Sequence, residues 1–164
     1  MAQTEPEFVG DVIMILPDST TILLDKEFAQ FRVGASLKAN SWDASFLTID
    51  RSEASVRVSK GAKVQLVVRA VSNDSDPMTI ISIYKFDVKR KRRETMLAVN
   101  NTDNPFQSSR TITKNMLPFR GKKYGISSYI IELNNLQSGE YGVVTRNPIA
   151  LDEKISIVSC FAVE

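Results

Sequence analysis

The sequence predicts an all-β protein, two antiparallel sheets packed face to face with little helix, and three observations carry that expectation. Short β-rich runs recur along all 164 residues. Each is closed by a cluster of Gly, Pro, Asn, Asp or Ser that supplies turn backbone or a local side-chain acceptor. Apolar and polar residues alternate within the runs, the period of a strand with one wet face. Helical periodicity is poor throughout. Twelve such segments suit a sandwich or a barrel, and a β-sandwich of jelly-roll or immunoglobulin-like type is the choice, one domain over residues 1–164.

In chain order the expected strands are 8–16, 20–24, 28–34, 45–49, 54–59, 63–72, 78–90, 92–99, 109–116, 126–134, 140–146 and 154–163. The first, "FVGDVIMIL" from Phe8, is interrupted by Asp11 and closed by Pro17. It is strand-sized, far short of the roughly 18 apolar residues of a membrane-spanning helix. Residues 26–38, "KEFAQFRVGASLK", set Phe28 and Phe31 three apart and predict one or two helical turns, which Val33 and Gly34 keep short. Ala54, Val56 and Val58 share one strand face; after "SKGAK", Val64, Leu66, Val68 and Ala70 share another. "RGKKYG" at 120–125 and "NNLQSG" at 134–139 read as turns. The closing strand, "KISIVSCFAVE", is apolar on both phases and belongs in a central position.

Composition removes whole classes of chemistry. With no histidine the chain lacks the commonest general base, the commonest zinc ligand and the usual pH switch. A single cysteine, Cys160, excludes an internal disulfide and reads as a buried structural thiol. Paired carboxylates are the remaining route to acid–base catalysis. Asp50, Glu53, Glu132 and Glu140 are the candidates, useful only if two converge in a cleft at about 5–10 Å. Glu140, within "SGEYG", reads as a turn residue, with Gly139 supplying positive φ. No catalytic residue, cofactor or metal site is expected. Asn73, Asp74 and Asp76 in "NDSDP" could ligate calcium, but the same letters spell an Asx turn before proline.

The formal charge of +2 is local. "KFDVKRKRRE", residues 85–94, holds six basic and two acidic residues, leaving 15 basic against 17 acidic elsewhere. Tyr84 and Phe86 alternate with Lys85 and Asp87 and are expected to look inward. The run therefore lacks the exposed aromatics of a nucleic-acid surface and reads as the solvated end of a hairpin. The rival reading makes Lys89, Arg90, Lys91, Arg92 and Arg93 a polyanion patch. Trp42, the one tryptophan, stands in the polar, loop-like "KANSWDASF"; with Tyr124 it is the other candidate for a binding surface. Asn73-Asp74-Ser75 and Asn100-Asn101-Thr102 fit the N-glycosylation pattern.

The opening "AQTEPEFVGDVIMILPDSTTILLDKE" resembles the mature start of secreted proteins of Bacteroides-type bacteria. "DPMTIISIYKFDVKRKRRET", "LQSGEYGVV" and the terminal "SCFAVE" are similar to small all-β proteins of unknown function from the same bacteria. The likeness touches about two thirds of the chain in short motifs and transfers no catalytic or ligand residue. It implies a secreted or cell-envelope protein in which Met1 stands where a leader was removed, and makes Asp18-Ser19-Thr20 similar to those bacteria's O-glycosylation site. Without that implication "MAQTEPEF", which has neither a basic nor an apolar leader region, reads as cytoplasmic. The expectation is a non-enzymatic protein acting by binding or assembly on a protein or glycan partner. A polyanion-binding module and a subunit of a larger assembly, by strand exchange, are the alternatives.

Overall fold

The computed structural model describes residues 4–35, 42–101, 110–146 and 155–164. These form β1 (Val12–Ile15), β2 (Thr21–Leu23), β3 (Asp25–Ala35), β4 (Trp42–Ile49), β5 (Arg57–Val58), β6 (Val64–Arg69), β7 (Ile81–Val88), β8 (Arg93–Asn101), β9 (Arg110–Thr111), β10 (Arg120–Tyr124), β11 (Ser128–Leu133), β12 (Gly139–Thr145) and β13 (Ile155–Val163). A 3₁₀ turn at Pro77–Thr79 is the one helical piece among the described residues. The chain is all-β.

The first sheet runs β10-β11-β6-β1-β2 and is open. The second runs β12-β7-β8-β4-β3-β13, and β12 pairs again with β13, so six antiparallel strands close into a barrel. This corrects the choice of a two-sheet sandwich over a barrel, while the all-β, antiparallel class stands. The cause is the nine-residue β13, which pairs with β3 over Ile155–Cys160 and with β12 over Ser159–Val163. One long strand thereby joins what would have been two free edges. Its central place agrees with its two-sided apolar sequence.

Closure divides the core in two. Val12, Met14, Leu66, Val68, Tyr129 and Ile131 of the open sheet face Ile81, Ile83, Tyr141, Val143 and Phe161 of the barrel wall across an apolar layer. Ala29, Leu47, Ile49, Phe86, Val158 and Cys160 form a second cluster inside the barrel. Six strands make a narrow barrel that side chains fill. At Gly142 an added Cβ would lie 2.5 Å from Val158 Cγ1 and 2.7 Å from Phe86 Cε2, so only glycine fits that wall.

Several local expectations change. Residues 26–35 are extended in β3, and 36–38 lie outside the described residues. Phe28 is 75% exposed while its neighbour Ala29 is fully buried, the two-residue period that the three-residue phenylalanine spacing hid. "RGKKY" is the edge strand β10 rather than a turn, in register with β11 from Arg120–Glu132 to Tyr124–Ser128. Gly121 permits this because an added Cβ would meet Pro77 Cγ at 2.8 Å. Of 54–59 only Arg57–Val58 is strand; Ala54 joins the barrel interior and Val56 the apolar layer. The 109–116 run reduces to Arg110–Thr111 and an isolated bridge from Met116 to Tyr84. "NDSDP" is a turn as expected. Asp76 Oδ1 accepts from the Met78 N–H at 2.9 Å, and the buried Asn73 amide donates to the Ser128 carbonyl at 3.1 Å.

Candidate functional site

The basic run divides at its hairpin. The Lys89 N–H donates to the Arg92 carbonyl at 2.8 Å, closing the turn between β7 and β8 and leaving Lys89, Arg90 and Lys91 exposed. Arg92 Nε lies 3.3 Å from Glu94 Oε2, and Lys89 Nζ 4.0 Å from Glu94 Oε1. Arg93 is no part of any surface. As the first residue of β8 it points into the barrel beside Ile49 and is fully buried. The polyanion patch of five is therefore corrected to three exposed cations, with Arg92 half-buried on Glu94. Of the flanking aromatics Phe86 is buried, as expected, and Tyr84 half-buried.

Arg93 organises the barrel's charges. Its Nη2 donates to Glu27, its Nη1 lies 3.4 Å from Glu140 Oε2, and its Nε donates to the Arg51 carbonyl at 2.8 Å. Glu140 also accepts from the Ala54 N–H at 3.0 Å and from Arg57 at 2.8 Å. Arg57 reaches Glu164 at 2.6 Å, and Arg51 reaches Glu27 at 3.2 Å. Three arginines thus meet three glutamates. The Arg57 guanidinium is pushed above its ordinary range, first by its hydrogen bond to Glu140. Glu140 is a buried strand residue, 3% exposed, and not the turn residue expected; Gly139 before it does have positive φ, 156°. Two carboxylates do converge, Glu27 and Glu140, but on an arginine that occupies the space between them. Alternation alone held the signal, since Arg93 is in phase with Thr95 and Glu27 with Ala29. Nothing local pairs them.

The other expected residues fall apart in space. Trp42 opens β4 rather than standing in a loop, and its side chain lies outside the described residues. Tyr124 ends β10 in the other sheet and is half-buried. The Asn100-Asn101-Thr102 pattern is described only to residue 101, with both asparagine side chains outside the described residues, whereas Asn73 is buried. Cys160 is buried, and burial pushes its thiol up to about 12, which fits the structural role assigned to it.

A cleft that the sequence did not mark lies at the β10 edge. Its cavity is about 980 Å³, with Met78, Leu117, Phe119, Ile130, Leu133 and Leu136 in its walls. Phe119 and Leu133 belong to the apolar layer, and Leu117 and Leu136 pack against it, so the cleft opens onto the core between open sheet and barrel. Arg120 and Lys122 alternate on one face of β10 and line the same cleft beside Glu132. Glu132 is already engaged: Lys63 Nζ lies 3.1 Å and Asn134 Nδ2 3.4 Å away, and these bonds, Lys63's first, hold its carboxyl below the usual range. Among the described residues no carboxylate lies within ion-pairing distance of Arg120 or Lys122. These residues were missed because "RGKKYG" read as a turn and the lining comes from four separate stretches of chain.

No known family model matches this chain, and no curated protein matches it.

Among the described residues no helix is long and apolar enough to cross a membrane.

Proposed function

We propose that this chain is a non-enzymatic, secreted or cell-envelope protein that acts by binding, with the cleft at the β10 edge as its ligand site. The observation that carries this reading is the cavity itself: about 980 Å³, mostly apolar, with a few charged groups at its rim. That is the build of small-ligand sites, which run about 300–1,000 Å³. The barrel interior favours the same assignment, because its converging acids are held by arginines and its volume is filled. Export rests on the N-terminal resemblance alone, and its direct check is whether the native host's chain is recovered outside the cytoplasm.

An apolar fluorescent dye such as N-phenylnaphthylamine tests the site. Saturation at one site per chain is expected, with loss in a Met78→Glu/Ile130→Glu variant. Met78 is exposed and Ile130 half-buried, so the folded state should survive both changes. Saturable binding unchanged by the double substitution, or no saturable binding in the wild-type chain, would overturn the reading.

A second reading, a subunit of a larger assembly, is favoured by the barrel's outer wall. Phe28 and Ile157 are Cα partners on β3 and β13 and are 75% and 54% exposed. Exposed apolar neighbours of this kind mark contact surfaces. Light scattering should then show mass rising with concentration, reversed by Phe28→Ser; a constant mass of one chain would dismiss it.

A further inference from the structure

We infer that the cleft at the β10 edge takes an amphipathic carboxylate of the long-chain acyl type, its chain over the apolar walls and its headgroup on Arg120 and Lys122. This rests on the binding reading above and adds the ligand's chemistry. The walls come first. Met78, Leu117 and Leu136 lead inward to Phe119 and Leu133, which are buried members of the inter-sheet core. A chain of methylenes lying there would gain burial on several sides at once.

The rim decides the headgroup. Lys63 is paired with Glu132, whose carboxylate also feels the charge of Lys122, and among the described residues no carboxylate lies within ion-pairing distance of Arg120 or Lys122. They lie two residues apart on one strand face, opposite Glu132 and Ile130 respectively. The arginine fork matches a carboxylate's two oxygens, and the lysine adds a point charge beside it. A neutral lipid would leave Arg120 unmatched and Lys122 with only the more distant charge of Glu132. A polyanion would find only two charges and would gain nothing from the apolar walls. A cationic amphiphile would be repelled.

Displacement of N-phenylnaphthylamine by dodecanoate, dodecanol and dodecyltrimethylammonium, each below its micelle concentration, separates the cases. Dodecanoate is expected to bind about tenfold or more tighter than dodecanol, the size of a charge-assisted contact. An Arg120→Gln/Lys122→Gln variant, whose changes are both at exposed positions, should lose that preference while dodecanol binding stays the same. Equal affinity for dodecanoate and dodecanol, or tighter binding of the ammonium amphiphile, would overturn the inference. The binding reading would survive such a result as long as dodecanol competes at the dye site. If none of the three displaces the dye, the inference falls, and the binding reading is decided separately by the dye's response to Met78→Glu/Ile130→Glu.

Discussion

The barrel interior and the apolar layer between its wall and the open sheet share strands of the barrel wall and meet the cost of burial in opposite ways. β12 shows this residue by residue. Glu140 and Gly142 face inward, to Arg93 and to the Phe86–Val158 contact, whereas Tyr141 and Val143 face outward into the apolar layer. In that layer the aromatic hydroxyls leave at the edges: Tyr129 donates to the Ser75 carbonyl and Tyr141 to the Gln137 carbonyl, both at 2.7 Å. Tyr141 also stacks on Phe161 with ring centroids 5.4 Å apart. Inside the barrel, a charge network replaces part of the apolar core. The lesson is that one region depends on volume and the other on partners. A volume-conserving substitution should therefore be tolerated in the first and damaging in the second.

Arg93→Met is the strongest test. It keeps length and bulk but leaves Glu27 and Glu140 without their shared cation. Each acid keeps one arginine, Arg51 or Arg57, so denaturant unfolding should show a loss of about 3 kcal/mol, the low end for breaking a buried ion pair. A loss below about 1 kcal/mol would mean that water reaches these acids and that the network is not a core element. Gly142→Ala follows, at about 1–3 kcal/mol, since its methyl would press on Val158 and Phe86. Leu66→Met, at a fully buried position in the apolar layer, should cost less than about 1.5 kcal/mol. If Leu66→Met proves as damaging as Arg93→Met, the contrast between the two regions is gone.

A pH series sharpens the picture at the first sheet. Glu5 accepts from the Ser127 N–H at 2.9 Å and the Ser128 hydroxyl at 2.7 Å, tying the N-terminal segment to the start of β11. These bonds lower its pKa from an ordinary 4.5 to about 2, the Ser127 amide contributing most. The folded state binds this proton less readily than the unfolded chain does, so the stabilisation is complete above 4.5 and disappears as pH falls towards 2. The unfolding midpoints of wild type and Glu5→Gln should converge over that window; a gap independent of pH would contradict the assignment. The smallest effect belongs to Arg90→Ser/Lys91→Ser. Both residues are exposed and unpaired among the described residues, so stability should shift by no more than about 0.5 kcal/mol. Set beside Arg93→Met, it measures how differently three neighbouring cations are used.

How much was legible beforehand follows from the range of the forces involved. The β class, the turn at "NDSDP", the central closing strand and the buried thiol were all readable. Each depends on alternation or turn chemistry within a few residues. Arg93 was not, because its neighbours Arg92 and Lys91 are chemically alike and only strand phase separates the buried one from the exposed ones. Nor was the β10 edge, where two glycines and two lysines spell a turn until Pro77 and β11 hold the segment straight. The cleft was hidden for the same reason, its walls being drawn from residues 65–136.

By itself, then, the sequence determined that the chain would be extended, with its apolar residues on alternate faces and few options for chemistry without histidine. Those are consequences of backbone sterics and of which side chains are present. Only the tertiary structure decided that β13 would bridge β3 and β12 and close a barrel, that Arg93 would find Glu27 and Glu140, and that Arg120 and Lys122 would stand over an open apolar cleft. Each of these joins residues far apart along the chain, and the pairing of distant strands is set by the packing of whole faces, which no local pattern encodes.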